Sequence, residues 1–361
     1  MYGEIVETIF GAEYRNKLLR IIFTIPRLFH FSTPNWLTIR NEIIGNVKVR
    51  VYYPKKRRSN AVILHMHGGG WTSLKPVDYD NHLLYFIKRL DMLIISINYR
   101  RSPEYHYPIP AADCEAVYRE LVTIDYKRYG IDPTKIFLLG DSAGGNLAAV
   151  IAQRQLKANF QQPKSQILIY PAIHPFDFLS PSYQQFYKSF PGCAMLNPRM
   201  MVQWYLHYLG IPVTKENTKK LLRNEHMRSK GKQADNLRSL IGHNLLPDSF
   251  IDETYNSDIK KKENDYLCDT LAKYYHPDLA PIIDDNLEGL CKTMVITVGY
   301  DILRDEGLLY VRRLQSFNVS VLWKHYSKLY HGCLNMPFSN EKRKIFDDIV
   351  AFIELQLCKD L

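Results

Sequence analysis

The chain has 361 residues, 46% of them hydrophobic and 23% charged, a composition that supports a large buried core and excludes global disorder. At this length one core carrying an insertion is expected rather than several separate domains. Lys and Arg number 47 against 37 Asp and Glu, a formal net charge of +10, yet the basic residues fall in short runs at 55–58, 219–232 and 260–262, which read as solvated loops rather than a nucleic-acid surface.

No run reaches the roughly 18 apolar residues of a membrane-spanning helix, and the start of the chain lacks a signal-peptide core, so it reads as soluble or peripheral. Residues 18–31, LLRIIFTIPRLFHF, mix apolar and basic side chains in a pattern suited to an anionic membrane surface, with Pro26 interrupting any helix. The cysteines, at 114, 193, 268, 291, 333 and 358, have no C-x-x-C spacing, so neither a metal site nor a disulfide framework is expected. Asn318-Val319-Ser320 is a glycosylation sequon, which matters only in a secretory compartment.

Taken in order, residues 1–45 show no clean strand period and read as a helical N-terminal flap. Residues 47–52 (VKVRVY) alternate like a strand, and 61–66 (AVILHM) form an apolar run of the kind buried in a parallel sheet. That run ends in HGGGW, residues 67–71. Three glycines after a buried strand cost chain entropy, which points to backbone that must approach something closely. A helix is expected over 83–90 and a buried strand over 93–98. Pro103, Pro108 and Pro110 then exclude regular helix until Ala111, after which 111–126 reads as helix.

Residues 135–147, KIFLLGDSAGGNL, join an apolar run to a helix-forming segment through G-x-S-x-G. In this nucleophile elbow the serine takes a strained backbone conformation and the glycines clear room across the turn. Ser142 is therefore the candidate nucleophile, with Gly140 and Gly144 supplying the space. An ordinary strand, glycine turn and helix would also fit five residues, so the rest of the chain must decide. The amides of Gly69, Gly70 and Ala143 are candidate oxyanion donors, worth about 3 kcal/mol each in such sites.

Residues 166–170 (QILIY) give the next buried strand, and the βα alternation argues for a mostly parallel sheet with helices on both faces. From 174 to 279 the alternation stops, and this stretch reads as a helical cap over the carboxyl ends of the strands, leaving 46–173 and 280–361 as the core. A strand returns over 293–298 and ends at Gly299-Tyr300-Asp301; 305–317 reads as helix, 319–323 as the last strand, and 341–357 as a closing amphipathic helix. Ser142, Asp301 and His331 thus each sit just past a strand, in the order serine, acid, histidine. The imidazole would take the serine proton and return it to the leaving group, with the carboxylate fixing its tautomer. Asp305 is the competing acid; it reads instead as the start of a helix, accepting bonds from the free amides.

With HGGGW, GDSAGGN, GYDILRDEG and YHG in this order, the chain resembles the hormone-sensitive-lipase group of α/β-hydrolases, and within it the arylacetamide deacetylase-like members. The resemblance runs from about residue 46 onward. It implies the α/β-hydrolase fold, Ser142 as nucleophile, Asp301 as acid, His331 as base, and Gly69, Gly70 and Ala143 as oxyanion donors, with no cofactor or metal. It further implies a small apolar ester or arylamide as substrate, cleaved by a serine carboxylesterase or deacetylase. Neutral lipid or cholesteryl-ester hydrolysis is the alternative, and a non-catalytic ligand-binding protein on the same scaffold a third reading. The resemblance implies anchoring in the endoplasmic reticulum membrane by an N-terminal helix; no such helix is read in this sequence, so either it is truncated or the protein resides elsewhere, with a cytoplasmic location as the alternative. Several relatives carry cysteines where Thr72 and Val298 stand here, and the terminal CKDL is not a retention signal. The aromatics Tyr183, Phe186, Tyr187, Trp204, Tyr205 and Tyr208 in the expected cap suggest an apolar pocket of limited volume, although Trp204 and Tyr208, four apart, could equally pack the cap.

Overall fold

The computed structural model describes residues 18, 20, 21, 33–189, 196–257, 259, 262–335 and 340–358. The apolar runs form neighbouring strands: β3 (Val62–Met66), β4 (Leu93–Ile97), β5 (Ile136–Asp141), β6 (Ser165–Ile169) and β7 (Lys292–Tyr300). With β1 (Leu37–Ile44), β2 (Val47–Pro54) and β8 (Val321–Tyr330) they make one eight-stranded sheet in the order β1-β2-β4-β3-β5-β6-β7-β8. The β1–β2 and β2–β4 pairs are antiparallel and the rest parallel.

Because side chains alternate across a strand, Val62, Leu64 and Leu138 join one core layer and Ile63, Phe137 and Leu139 the other. The first layer packs on α2 (Ile109–Thr123), α3 (Ala143–Lys157) and α9 (Arg304–Ser316), the second on α1 (Asp80–Leu90) and α10 (Glu341–Cys358). Between β6 and β7 the described residues hold no strand. They form α4 (Pro181–Ser189), α5 (Pro198–Leu209), α6 (Lys215–Leu222), α7 (Lys232–Ile241) and α8 (Asp265–Ala272), with Asn197, Thr214 and Asn264 capping α5, α6 and α8. Among the described residues no helix is long and apolar enough to cross a membrane.

Four expectations need correction. The stretch read as a helical flap contains β1, hidden because only its end residues Leu37 and Ile44 are buried; Gly45 and Asn46, both at positive φ, turn it into β2. Helix α2 starts at Ile109, with Pro110 in the first turn, where its missing N–H costs nothing. The last strand runs on to Tyr330 rather than ending at Trp323. Asp305 does not cap α9, which begins at Arg304 after Leu303 with no side-chain cap. Within 18–31 only Leu18, Arg20 and Ile21 are described, all helical; the rest of that expected membrane-facing stretch lies outside the described residues, as do Cys193, Lys260 and Lys261, and the final three residues. Asn318 of the sequon is exposed, and Cys114, Cys268, Cys291, Cys333 and Cys358 are free thiols.

Candidate active site

Parallel pairing brings the strand exits to one edge of the sheet. Met66 pairs with Gly140 and Tyr300 with Tyr330, so the glycine loop meets the β5–α3 turn, and Asp301 and His331 leave adjacent strands side by side. At the turn Ser142 has φ 53° and ψ −121°, the left-handed strain expected of an elbow. Its glycines are there for space: a Cβ on Gly140 would overlap the Gly144 carbonyl, and one on Gly144 the carbonyl of Met66. The turn is held by Ser142 N–H donating to Ile169 O at 2.9 Å and Ala172 N–H to Ser142 O at 3.1 Å.

The three residues singled out by chain order come together. His331 Nε2 lies 3.0 Å from Ser142 Oγ, and His331 Nδ1 lies 2.9 Å from Asp301 Oδ2. An ionised carboxylate only accepts, so Asp301 fixes the proton on Nδ1 and leaves Nε2 to accept from the serine hydroxyl. Asp301 Oδ1 accepts from Leu303 N–H at 2.9 Å, which stops the carboxylate from rotating away. The Tyr170 ring packs on the imidazole at 4.5 Å. Ser142, Asp301 and His331 are 4%, 1% and 6% exposed, so charge formed here is poorly screened. The rival acid, Asp305, is directed elsewhere: it accepts from Ser182 N–H at 2.7 Å and Arg304 Nε at 2.8 Å.

Gly69 and Gly70 have φ of 98° and 59°. Among the described residues no hydrogen bond engages the N–H of either. Ala143 is the first residue of α3, where helix geometry leaves the N–H unpaired and adds the positive end of the dipole. Ala143 directly follows Ser142, and the glycine loop adjoins the same turn through Gly68 N–H and Asp141, which leaves the three amides as candidate oxyanion donors. Among the described residues no group of three or more His, Cys, Asp or Glu could hold a metal ion.

A sequence profile described as an alpha/beta hydrolase fold matches residues 63–232 and 249–335. Bovine (Bos taurus) arylacetamide deacetylase is 34% identical over 359 residues, covering 94% of this chain and 84% of its own. The chain belongs to the arylacetamide deacetylase-like α/β-hydrolases. Mouse (Mus musculus) neutral cholesterol ester hydrolase 1 is 30% identical over 301 residues, covering 80% of this chain and 72% of its own. Among solved structures, the carboxylesterase EstE1, cloned from a metagenomic library, superposes with a TM-score of 0.71 at 22% identity, covering 96% of this chain and 97% of that one.

Three buried groups around the site of this hydrolase escaped the sequence reading. Asp141, the variable position of the elbow motif, accepts from Gly68 N–H at 2.9 Å and from Tyr79 O–H at 3.0 Å, so it ties the glycine loop to the elbow. Burial pushes its carboxyl up to about 6 against the opposing pull of those bonds and of His331. A Cβ on Gly68 would meet this carboxylate at 2.6 Å, which explains the first glycine of the loop. Glu306, also buried, accepts from the N–H groups of Ile173 and His174 at 2.9 Å; burial, with Asp301 nearby, holds its carboxyl well above the usual range. His67 donates from Nδ1 to Gly68 O at 2.9 Å and stacks on Tyr99 at 4.1 Å, and burial keeps it neutral. Only spatial neighbours give these residues meaning; an Asp, Glu or His beside a motif carries no such signal in one sequence.

Proposed function

We propose that this chain hydrolyses uncharged carboxylic esters or arylamides through an acyl-enzyme formed on Ser142. It is a serine hydrolase of the carboxylesterase and deacetylase type. The observation that carries the reading is the continuous contact from Ser142 Oγ to His331 Nε2 at 3.0 Å and from His331 Nδ1 to Asp301 at 2.9 Å. In acylation the Ser142 oxygen attacks the carbonyl carbon while its proton passes to His331 Nε2. The carbonyl π electrons move onto oxygen, and the Gly69, Gly70 and Ala143 amides stabilise that charge. Collapse expels the alkoxide or amine, which takes the proton back from His331. A water then repeats the sequence, losing a proton to His331 as it attacks, and Ser142 leaves reprotonated. Asp301 accepts from His331 Nδ1–H and stabilises the imidazolium.

Neutral lipid ester hydrolysis is the second reading, favoured by the likeness to neutral cholesterol ester hydrolase 1. For compartment we propose the endoplasmic reticulum membrane, on the family resemblance and the basic, apolar character of 18–31; recovery of the tagged full chain in the cytosolic fraction would give the alternative. Labelling with a fluorophosphonate probe tests the chemistry. Ser142→Ala should abolish labelling and lower kcat by roughly 10⁴- to 10⁶-fold, whereas label retained on another serine would overturn the assignment.

A further inference from the structure

The glycine loop is left-handed over three consecutive residues, Gly69, Gly70 and Trp71, with φ of 98°, 59° and 56°. Glycine adopts such angles freely, but a bulky residue like Trp71 is strained there and holds the shape only where its surroundings enforce it. The carbonyl side of the loop is tied to neighbouring backbone and arginines. Ser102 N–H donates to Trp71 O at 2.9 Å, Arg20 Nε to Thr72 O at 2.8 Å, and Arg101 Nη1 to Ser73 O at 3.1 Å.

The other side is covered by helix α5. The Trp71 ring lies parallel to Tyr208 at 4.4 Å and 2°, and tilted against Tyr205 at 5.2 Å. Trp204, one residue earlier on α5, lies directly on Gly70: a Cβ there would fall inside the indole, 2.5 Å from its Cγ and closer to Cδ2 and Cε3. Trp71, Trp204, Tyr205 and Tyr208 are all nearly or fully buried. Helix α5 is itself fixed to the core at its carboxyl end, where Tyr107 N–H donates to Tyr208 O at 2.7 Å and His106 Nδ1 to His207 O at 2.8 Å.

We propose that Trp204 is a positioning residue for the oxyanion donors. Its indole presses on the Gly70 backbone while Tyr205 and Tyr208 hold Trp71, so α5 sets the direction of the Gly69 and Gly70 amides. Helix α5 therefore completes the reaction site from outside the sheet, in addition to any role in enclosing substrate. The proposal rests on the hydrolase reading, in which those amides receive the oxyanion. Trp204 lies against the Gly70 backbone, and a residue acting only through that backbone should, when removed, weaken transition-state binding and leave ground-state binding nearly intact.

The test compares Trp204→Phe, Trp204→Leu and Trp204→Ala on a soluble nitrophenyl ester, together with the affinity of a trifluoromethyl ketone as transition-state analogue. Deleting an oxyanion donor outright costs about 10²- to 10³-fold in kcat; a donor left in place but loosened should cost less, roughly 10- to 100-fold for Trp204→Ala. KM should change little, and ketone affinity should fall in step with kcat/KM. Trp204→Phe, which keeps a flat ring on Gly70, should retain most activity. Should Trp204→Ala fail to fold, Trp204→Leu gives the same readouts. Unchanged kcat and ketone affinity in the Leu or Ala variant would overturn the proposal, as would a rise in KM alone, which would make Trp204 a pocket wall. Fluorophosphonate titration of Ser142 in the parent protein separates the two claims: labelling with an unaffected Trp204 variant removes only the positioning role, whereas absence of labelling removes the hydrolase reading and the positioning role with it.

Discussion

Replacing Asp305 with alanine tests the division of labour between the two aspartates of the GYDILRDEG stretch. Read as a helix cap, Asp305 would be worth about 1 kcal/mol. Its surroundings call for more. Its side chain is 0% exposed and pairs with Arg304, itself 6% exposed, at 2.8 Å. Arg304 otherwise reaches neutral partners, Gln185 Oε1 at 2.9 Å, Phe250 O at 2.7 Å and the Phe250 ring at 4.3 Å. Removing the carboxylate leaves a buried cation without its counter-charge, typically about 3 to 5 kcal/mol, and strips the acceptor from the buried Ser182 N–H. Asp252 is near enough to Arg304 for the guanidinium to help hold its carboxyl down, so the lower end, about 3 kcal/mol, is expected. Urea unfolding followed by fluorescence and circular dichroism measures the loss, and kcat per folded molecule is read at the same temperature. An Arg304→Leu/Asp305→Leu double variant should recover part of the stability, because the pair and its desolvation cost vanish together. A loss near 1 kcal/mol, or a large fall in kcat with the fold intact, would refute this reasoning, the latter by making Asp305 the catalytic acid.

Asp301→Asn should leave stability nearly unchanged and lower kcat by about 10⁴-fold, through the wrong imidazole tautomer; a loss below tenfold in a folded variant would exclude it as the acid. Asp141 has its carboxyl raised from 3.8 to about 6, so the folded state binds that proton more tightly than the unfolded one, and stability declines as pH rises through this interval. Asp141→Asn should therefore stabilise relative to the parent at pH 8 but not at pH 4, by roughly 3 kcal/mol at most, since each tenfold gain in proton affinity corresponds to about 1.4 kcal/mol; an equal effect at both pH values in thermal unfolding would contradict it. Across an acyl-length series of nitrophenyl esters, kcat/KM should peak at short to medium chains, each methylene adding up to ~0.8 kcal/mol only while there is room. A steady rise through the longest chains, with further gain at a lipid interface, would favour neutral lipid hydrolysis.

The parts of this fold that announce themselves in sequence are those with one local cause. The runs leading to His67, Ser142 and Asp301 are apolar because both faces of their strands are covered, and the glycines beside them, Gly68, Gly140, Gly144 and Gly299, sit where a Cβ would overlap neighbouring atoms. Strand β1 and the far half of β8 are illegible because they lie at the edges of the sheet: residues such as Arg40, Asn41, Ser327 and Lys328 face solvent and break the apolar pattern. Asp305 was misplaced for a different reason. Its partner Ser182 lies 123 residues away, and local capping rules have no access to such a contact. The aromatics of the insertion divide similarly. Tyr187 is 57% exposed, while Tyr208 packs on Trp71 and edge-on against Tyr107, so residue type alone did not sort pocket from core.

The proposed nucleophile and base are made at different times during synthesis. Ser142 and His331 are 189 residues apart, and helices α4 to α8 are translated between them. At about 5 to 20 residues per second, a ribosome would expose the serine elbow roughly 10 to 40 s before the histidine. Throughout that interval the hydroxyl would have neither its proposed base nor its proposed acid, since Asp301 also lies beyond α8. On the proposed assignment the nascent polypeptide would be silent towards cellular esters until β7 and β8 dock onto the half-built sheet.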